Sequence, residues 1–277
     1  MFPDCFYEHH NSLHQKIRRQ FDLAATYFDV EGIHELRVEI KRLRAFFDLI
    51  EFINPNFQAR KGYKKIRILF RAAGPIRDVH VQQELVRACS KKLALDLSEY
   101  YNFLKQKEMA LRPGFAASCR KFDFTIFETT ADTIRVFMQY LPAEFAQLKT
   151  QNQLHNLLQK LSDLKNPPEG NQVDFHQVRI CLKAARYTLE VLQMCFQKGA
   201  LDLLNAKLRE MHQALGKWHD EEVGLQSLEA FLQEHDNVEF FSRDSYQFFA
   251  EELEEDKRGL LARFATKWNE FLDLPKM

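Results

Sequence analysis

The sequence predicts an all-α protein made of two copies of one helical unit. Three observations carry that prediction. Glycine (9) and proline (8) are scarce over 277 residues, and a fold of many short strands would need many more turn residues. Hydrophobic residues at 45% and charged residues at 28% give a globular rather than a disordered composition. Most specifically, the chain repeats itself. His34, Arg37, Lys41 and Arg44 recur as His176, Arg179, Lys183 and Arg186, every one at an offset of 142. Lys65, Arg67, Gly74 and Asp78 recur at the same offset as Lys207, Arg209, Gly216 and Asp220. Flanking segments match at 141 to 145, the drift that loop insertions produce.

Taken in order, the first unit is expected to hold about four helices, near 6–27, 32–53, 57–92 (broken at Gly74-Pro75) and 95–141, where Pro113-Gly114 and Asp123 can divide the last. The second unit repeats this near 144–165, 174–197, 200–234 and 239–272. The stretch Lys165-Asn166-Pro167-Pro168-Glu169-Gly170-Asn171 reads as a loop. The units meet near 142–150 without a Gly/Ser linker, so they are expected to pack tightly, as 1–146 and 147–277.

Net charge is zero, with 39 basic and 39 acidic residues, but the charges are segregated. Between His34 and Arg71 there are ten Lys/Arg against four acids; between Asp220 and Asp256, thirteen acids against Arg243 alone. The global charge does not call for a polyanion, but the local charge permits one. The five cysteines are odd in number and form no Cys-x-x-Cys pair, so reduced, mostly buried thiols in a cytoplasmic protein are expected. No run of ~18 apolar residues or signal-like N-terminus is present, which predicts no membrane span.

The repeated stripe is the candidate site. Positions i, i+3, i+7 and i+10 of a helix fall within roughly 80° of arc, so His34, Arg37, Lys41 and Arg44 form one line. Ile33, Leu36, Ile40, Leu43, Phe47 and Ile50 make a neighbouring apolar face; in the second copy Val178, Leu182, Ala185, Leu189 and Leu192 do the same. The cationic line therefore adjoins the core side and is expected to line a groove. Like charges at this spacing repel, which is costly for a purely structural helix and sensible if an oxyanion completes the site. Arginine offers a planar fork, lysine a point charge and histidine a titratable donor. The competing reading is a solvated basic face whose stems cover the core. It is weakened by the second copy in register.

A second basic helix carries Lys64, Arg67 and Arg71, echoed by Lys207 and Arg209; Ala206 and Gln213 stand where Lys64 and Arg71 would be matched. Ala184 likewise matches Arg42, so the first unit is the more basic. Asp78 and Asp220, downstream of Gly74 and Gly216, are expected to orient the stripe cations by salt bridges. No nucleophile–base–orienter trio and no glycine-rich phosphate loop occur, so catalysis and cofactors are not expected. Three rivals remain. A metal-dependent phosphohydrolase would use His34, His176 and His219-Asp220, but Arg77 stands at the place matching His219. A nucleic-acid binder would suit the same cations, but no base-reading module is recognisable. A helical protein adaptor would bind no polyanion.

The segments His34 through Arg44, Gly74 through Asp78, His176 through Tyr187 with Glu190, and Leu215 through Asp220 resemble the CHAD domain family, the conserved-histidine α-helical domains, and the resemblance extends over essentially the whole chain. It implies two four-helix bundles related by a pseudo-twofold axis and non-catalytic binding of inorganic polyphosphate in a basic central cavity. By motif match it implies ligand contacts from His34, Arg37, Lys41, Arg44, His176, Arg179, Lys183 and Arg186, with Lys64, Arg67, Arg71, Lys207 and Arg209 as further candidates. No metal is expected, since a metal site sits poorly among so many fixed cations.

Overall fold

The computed structural model describes residues 2–164, 172–196, 201–234 and 240–273. Among these no strand occurs, and nine helices follow one another: α1 (Phe2–Tyr27), α2 (Val30–Ile53), α3 (Ala59–Leu93), α4 (Ser98–Arg120), α5 (Thr125–Met138), α6 (Ala143–Asp163), α7 (Gln172–Phe196), α8 (Asp202–Glu234) and α9 (Phe240–Leu272). The all-α class expected from the sequence is the observed one. The loop expected at 165–171 lies outside the described residues, and the boundary placed at 146 falls in the first turn of α6.

Two boundaries differ from expectation. Helix α3 runs unbroken through Gly74-Pro75. The Pro75 ring faces solvent, so it removes one backbone hydrogen bond without entering the core. Leu69, Ala73 and Ile76 are buried on either side of it. Burial of two aliphatic side chains, at about 1.5–3 kcal/mol each, offsets the ~3 kcal/mol cost of an interior proline. Pro113 and Gly114 likewise sit on the exposed face of α4 without ending it. Of the two places expected to divide that span, Asp123 is the one that does so: its carboxylate accepts the Thr125 backbone N–H at 2.9 Å and the Thr125 hydroxyl at 2.7 Å, starting α5. The first half of the chain thus has five helices rather than four.

The apolar faces meet in three cores. One is built almost wholly from the first half: α1, α2, the start of α3, the end of α4, and α5, with Phe6, Phe46, Phe47, Phe115 and Phe127 fully buried. A second is built from α6, α7, the start of α8 and the end of α9, around Trp218, Phe264 and Trp268. The third is shared. It joins the far ends of α3 and α8 to the near ends of α4 and α9, with Tyr100, Phe231, Tyr246 and Phe249 in contact. Ser227 of α8 donates to Gln82 Oε1 of α3 at 2.8 Å across it. Helix α2 also packs directly against α7. The two halves therefore touch at a helix seam and through a common core.

One expectation about cysteine is overturned. Cys5 of α1 and Cys195 of α7 are joined in a disulfide. Both are half-buried at the point where the N-terminal helix crosses the seam, and spacing alone carries no information about that crossing. Cys89, Cys119 and Cys181 are free and buried, as read. No helix among the described residues is long and apolar enough to cross a membrane.

Candidate anion site at the seam of α2 and α7

Helix α2 starts at Asp29, whose carboxylate accepts the Gly32 N–H at 2.6 Å. From there the 3.6-residue period sends Ile33, Leu36, Ile40, Leu43, Phe47 and Ile50 to the core, all completely buried. In α7, Val178, Leu182, Ala185 and Leu189 are equally buried. With the apolar faces so fixed and the helices packed together, the two basic lines are turned towards each other.

Lys41 and Lys183 mark where they meet. Burial and the surrounding charges of Lys183, Arg37 and Arg179 lower the Lys41 ammonium to about 7, against a single opposing influence from Asp220. Lys183 is lowered to about 8 by burial and by Arg179, with Arg186 and Arg37 adding to it and Asp220 opposing. Lys41, Arg179 and Lys183 are all half-buried. Among the described residues none of the three has a carboxylate within salt-bridge distance or a hydrogen-bond partner, and the Arg179 Nε is buried without one.

The neighbouring cations are held in place. Arg37 donates from Nη1 to the Phe70 carbonyl at 2.9 Å, with its guanidinium 4.3 Å from the Phe70 ring centre. Gly74 makes that pose possible, since a Cβ there would lie 2.9 Å from Nη1 of Arg37. Gly216, at the matching place, meets nothing within 4 Å. Arg186 contacts His212 Nδ1 at 3.3 Å and pairs through Nε with Glu190 at 3.4 Å. The other oxygen of Glu190 lies 3.6 Å from Arg42 of α2, and Arg42 is hydrogen-bonded to Glu39. Glu190 thus ties an arginine from each helix, over the Tyr187 ring that both approach.

The remaining stripe residues lie at the margins. His34 is half-buried, 3.6 Å from Glu35, and its pKa is lowered by burial and by Arg77. His176 is exposed and acts on His219, which burial and Arg179 lower to about 4. Arg44 points outward, 3.8 Å from Asp48 and over the Tyr63 ring. Arg67 is exposed but, with Arg44 and Arg37, acts on the Tyr63 hydroxyl. Lys64, Arg71 and Arg209 are on solvent-facing surface. Lys207 is engaged elsewhere, 3.1 Å from Glu270 of α9.

Asp78 and Asp220 do not reach salt-bridge distance of any stripe cation. They act through the field instead. Burial raises the Asp220 carboxyl, while Arg179, Arg77 and Lys41 draw it back down. Burial raises Asp78, and Arg37, Arg77 and Lys107 oppose that. Among the described residues no group of three or more His, Cys, Asp or Glu gathers in a way that could hold a metal ion. The arrangement suits a multivalent oxyanion: Arg37 and Arg186 held by their neighbours, Lys41, Arg179 and Lys183 without a salt-bridge partner among the described residues, and few carboxylates to compete.

Two residues of this neighbourhood lie outside the stripe motif. Arg77 acts on His34, Arg37 and Asp220, and its offset to His219 is a signal that the repeat contained. His212 stands beside Arg186, Lys183, Lys41 and Arg179, and burial with those cations lowers it to about 3. It matches Phe70 at offset 142, so each copy sets a flat ring among its cations, and no charge or hydropathy pattern marks the equivalence.

Comparison with known proteins places this fold. The chain is similar to the crystal structure of the CHAD domain from the plant Ricinus communis, with a TM-score of 0.76 at 19% identity, covering 100% of this chain and 93% of that one. It is also similar to PptA from Streptomyces chartreusis, with a TM-score of 0.65 at 14% identity, covering 97% and 99%. At these identities the likeness is one of fold. No curated protein matches the chain significantly. The family model described as CHAD domain matches residues 11–229, which takes in both stripes and the seam between them, and the chain belongs to the CHAD domain family.

Proposed function

We propose that the chain binds inorganic polyphosphate, or a similar phosphate-rich polyanion, at the seam of α2 and α7 and does so without turnover. The observation that carries this reading is the set Lys41, Arg179 and Lys183: three half-buried cations with no carboxylate at salt-bridge distance and no hydrogen-bond partner among the described residues, on which Asp220 acts only through the field. A buried charge without a partner is expensive, and the folded chain tolerates it where a ligand supplies the missing charge. A chain of phosphates presents oxygens to several cations at once, which suits two lines of donors better than one isolated anion does. The family resemblance points to the same ligand.

The test is Arg37→Ala with Arg179→Ala. Each arginine removed takes away charge-assisted hydrogen bonds of about 1.5–3 kcal/mol, so the double variant is expected to bind long-chain polyphosphate at least ~100-fold more weakly. Its far-UV circular dichroism is expected to match the parent's. Undiminished binding by the double variant means that the stripes are not the site. Release of orthophosphate from polyphosphate by the parent contradicts binding without turnover. Preference for DNA or RNA over polyphosphate in direct competition moves the reading to nucleic acid.

A further inference from the structure

We infer that anion entry at the seam is coupled to proton uptake by Lys41 and Lys183, so that this site binds phosphate chains more tightly as pH falls. The inference rests on the polyanion reading above and adds a chemical property to it.

The geometry starts from Lys41 of α2 and Lys183 of α7, both half-buried where those helices pack together and neither with a carboxylate at salt-bridge distance among the described residues. From α2, Arg37 and His34 share their surroundings. From α7 come Arg179 and Arg186. Helix α8 contributes His212 and His219 as well as Asp220, and α3 contributes Asp78. Helix α1 presents His9 towards Arg42; α6 presents Lys149 over Phe52 and Lys160 towards Cys181. Arg77 of α3 also acts on Asp220, and Glu190 of α7 is taken up by Arg186 and Arg42. The groups that act on the lysine pair are thus mostly positive, opposed by the two aspartates.

Such a cluster can relieve its repulsion only through groups able to lose a proton. Arginine does not deprotonate in proteins. The histidines have already done so near neutrality, since burial and the same cations lower His212 to about 3 and His219 to about 4. The two lysines remain, and burial with the neighbouring arginines lowers them to about 7 and about 8. An entering phosphate chain reverses the sign of the local field. Each Nζ then gains from being charged, and protons pass from bulk water to the two amines while no covalent bond to the ligand forms. Lowered values in the empty site and restored ones in the filled site mean net uptake in the window between them. Affinity therefore falls as pH rises from about 7 towards the ordinary lysine value.

Calorimetric titration of the full chain with tripolyphosphate at about pH 8, in buffers of low and high ionisation enthalpy, reads this directly: the apparent heats are expected to differ by on the order of one proton taken up per ligand. In Lys41→Arg with Lys183→Arg, cations that do not titrate replace both amines. That variant is expected to bind with heats closer to buffer-independent. Across the range above about pH 7 the parent's Kd should rise more steeply than the variant's, by roughly a further tenfold per pH unit. The ligand's own protonation is common to both proteins and drops out of the comparison. Parent heats that depend on buffer no more than the variant's overturn the inference and leave the polyanion site standing. A pH profile unchanged by the double substitution also overturns it. No binding of tripolyphosphate or longer chains by the parent at any pH overturns the polyanion reading itself, and the inference with it.

Discussion

A methyl group added at Gly74 would sit 2.9 Å from Nη1 of Arg37, while one added at Gly216 would meet nothing within 4 Å. The two glycines occupy matching places in the repeat, so their substitutions separate site geometry from helix propensity. Both lie inside long helices, where alanine is favoured over glycine by up to ~1 kcal/mol. Gly216→Ala is expected to raise stability by about 0.5–1 kcal/mol and leave polyphosphate affinity unchanged. Gly74→Ala gains the same propensity but pushes the Arg37 guanidinium off the Phe70 carbonyl, so it is expected to weaken binding severalfold without loss of stability. Thermal melts with binding isotherms on the two variants check this; equal affinities would mean that the Arg37 pose is immaterial. The cationic line itself was legible because its period is that of a helix and it occurs twice. The function of Gly74 was not, since it depends on where an arginine 37 residues earlier in the chain ends its reach. The matching of His212 to Phe70 was equally hidden, since a ring among cations leaves no period.

Helix boundaries show the same division. Most were readable to within a few residues, because apolar positions at i, i+3 and i+4 persist through each helix and the breakers lie between them. The break expected in α3 at Pro75 does not occur, because the proline rule is local, whereas continuity here comes from Leu69, Ala73 and Ile76 in the core. Helix α8 carries a tertiary effect of another kind. Glu221 is 8% exposed, and one carboxylate oxygen is buried without a partner. Burial, together with Asp256, Asp220 and Glu252, raises its pKa to about 7. A carboxyl whose folded value exceeds its unfolded one binds more protons when folded, so its effect on stability is least costly at low pH and grows as pH rises from about 4.5 through 7. Glu221→Gln keeps the shape and removes the charge. It is expected to melt like the parent near pH 4.5 and to be more stable by about 3 kcal/mol at pH 8. A melting difference that does not change with pH would mean that Glu221 is ionised throughout.

At the scale of the whole molecule, the halves are joined by three different means: the α2–α7 seam, the shared third core, and the Cys5–Cys195 disulfide. The first two act only once both halves have folded. The disulfide acts before folding as well, because it closes a loop with a sequence separation of 190 residues and so restricts the unfolded chain. Loop closure of that length corresponds to about 5 kcal/mol in the chain-entropy account, an upper figure because residual structure in the unfolded chain reduces it. For a protein of this size each kcal/mol moves Tm by about 2–4 °C, so reduction of the oxidised protein is expected to lower Tm by roughly 10 °C. Cys195→Ser is expected to melt at the reduced value whether or not reductant is present. Helicity at room temperature should be the same in all three states, since both residues lie within long helices that pack without the bond. The polyanion site should respond little, because Lys41, Arg179 and Lys183 are held by α2 and α7, whose packing buries Ile40, Leu43, Val178 and Leu182 independently of the bridge. Calorimetric scans with and without reductant, set beside polyphosphate isotherms of the same samples, check both halves of the prediction. A parent whose Tm ignores reductant would show that the bridge contributes no constraint, whereas a large loss of affinity on reduction would make the disulfide part of the binding machinery.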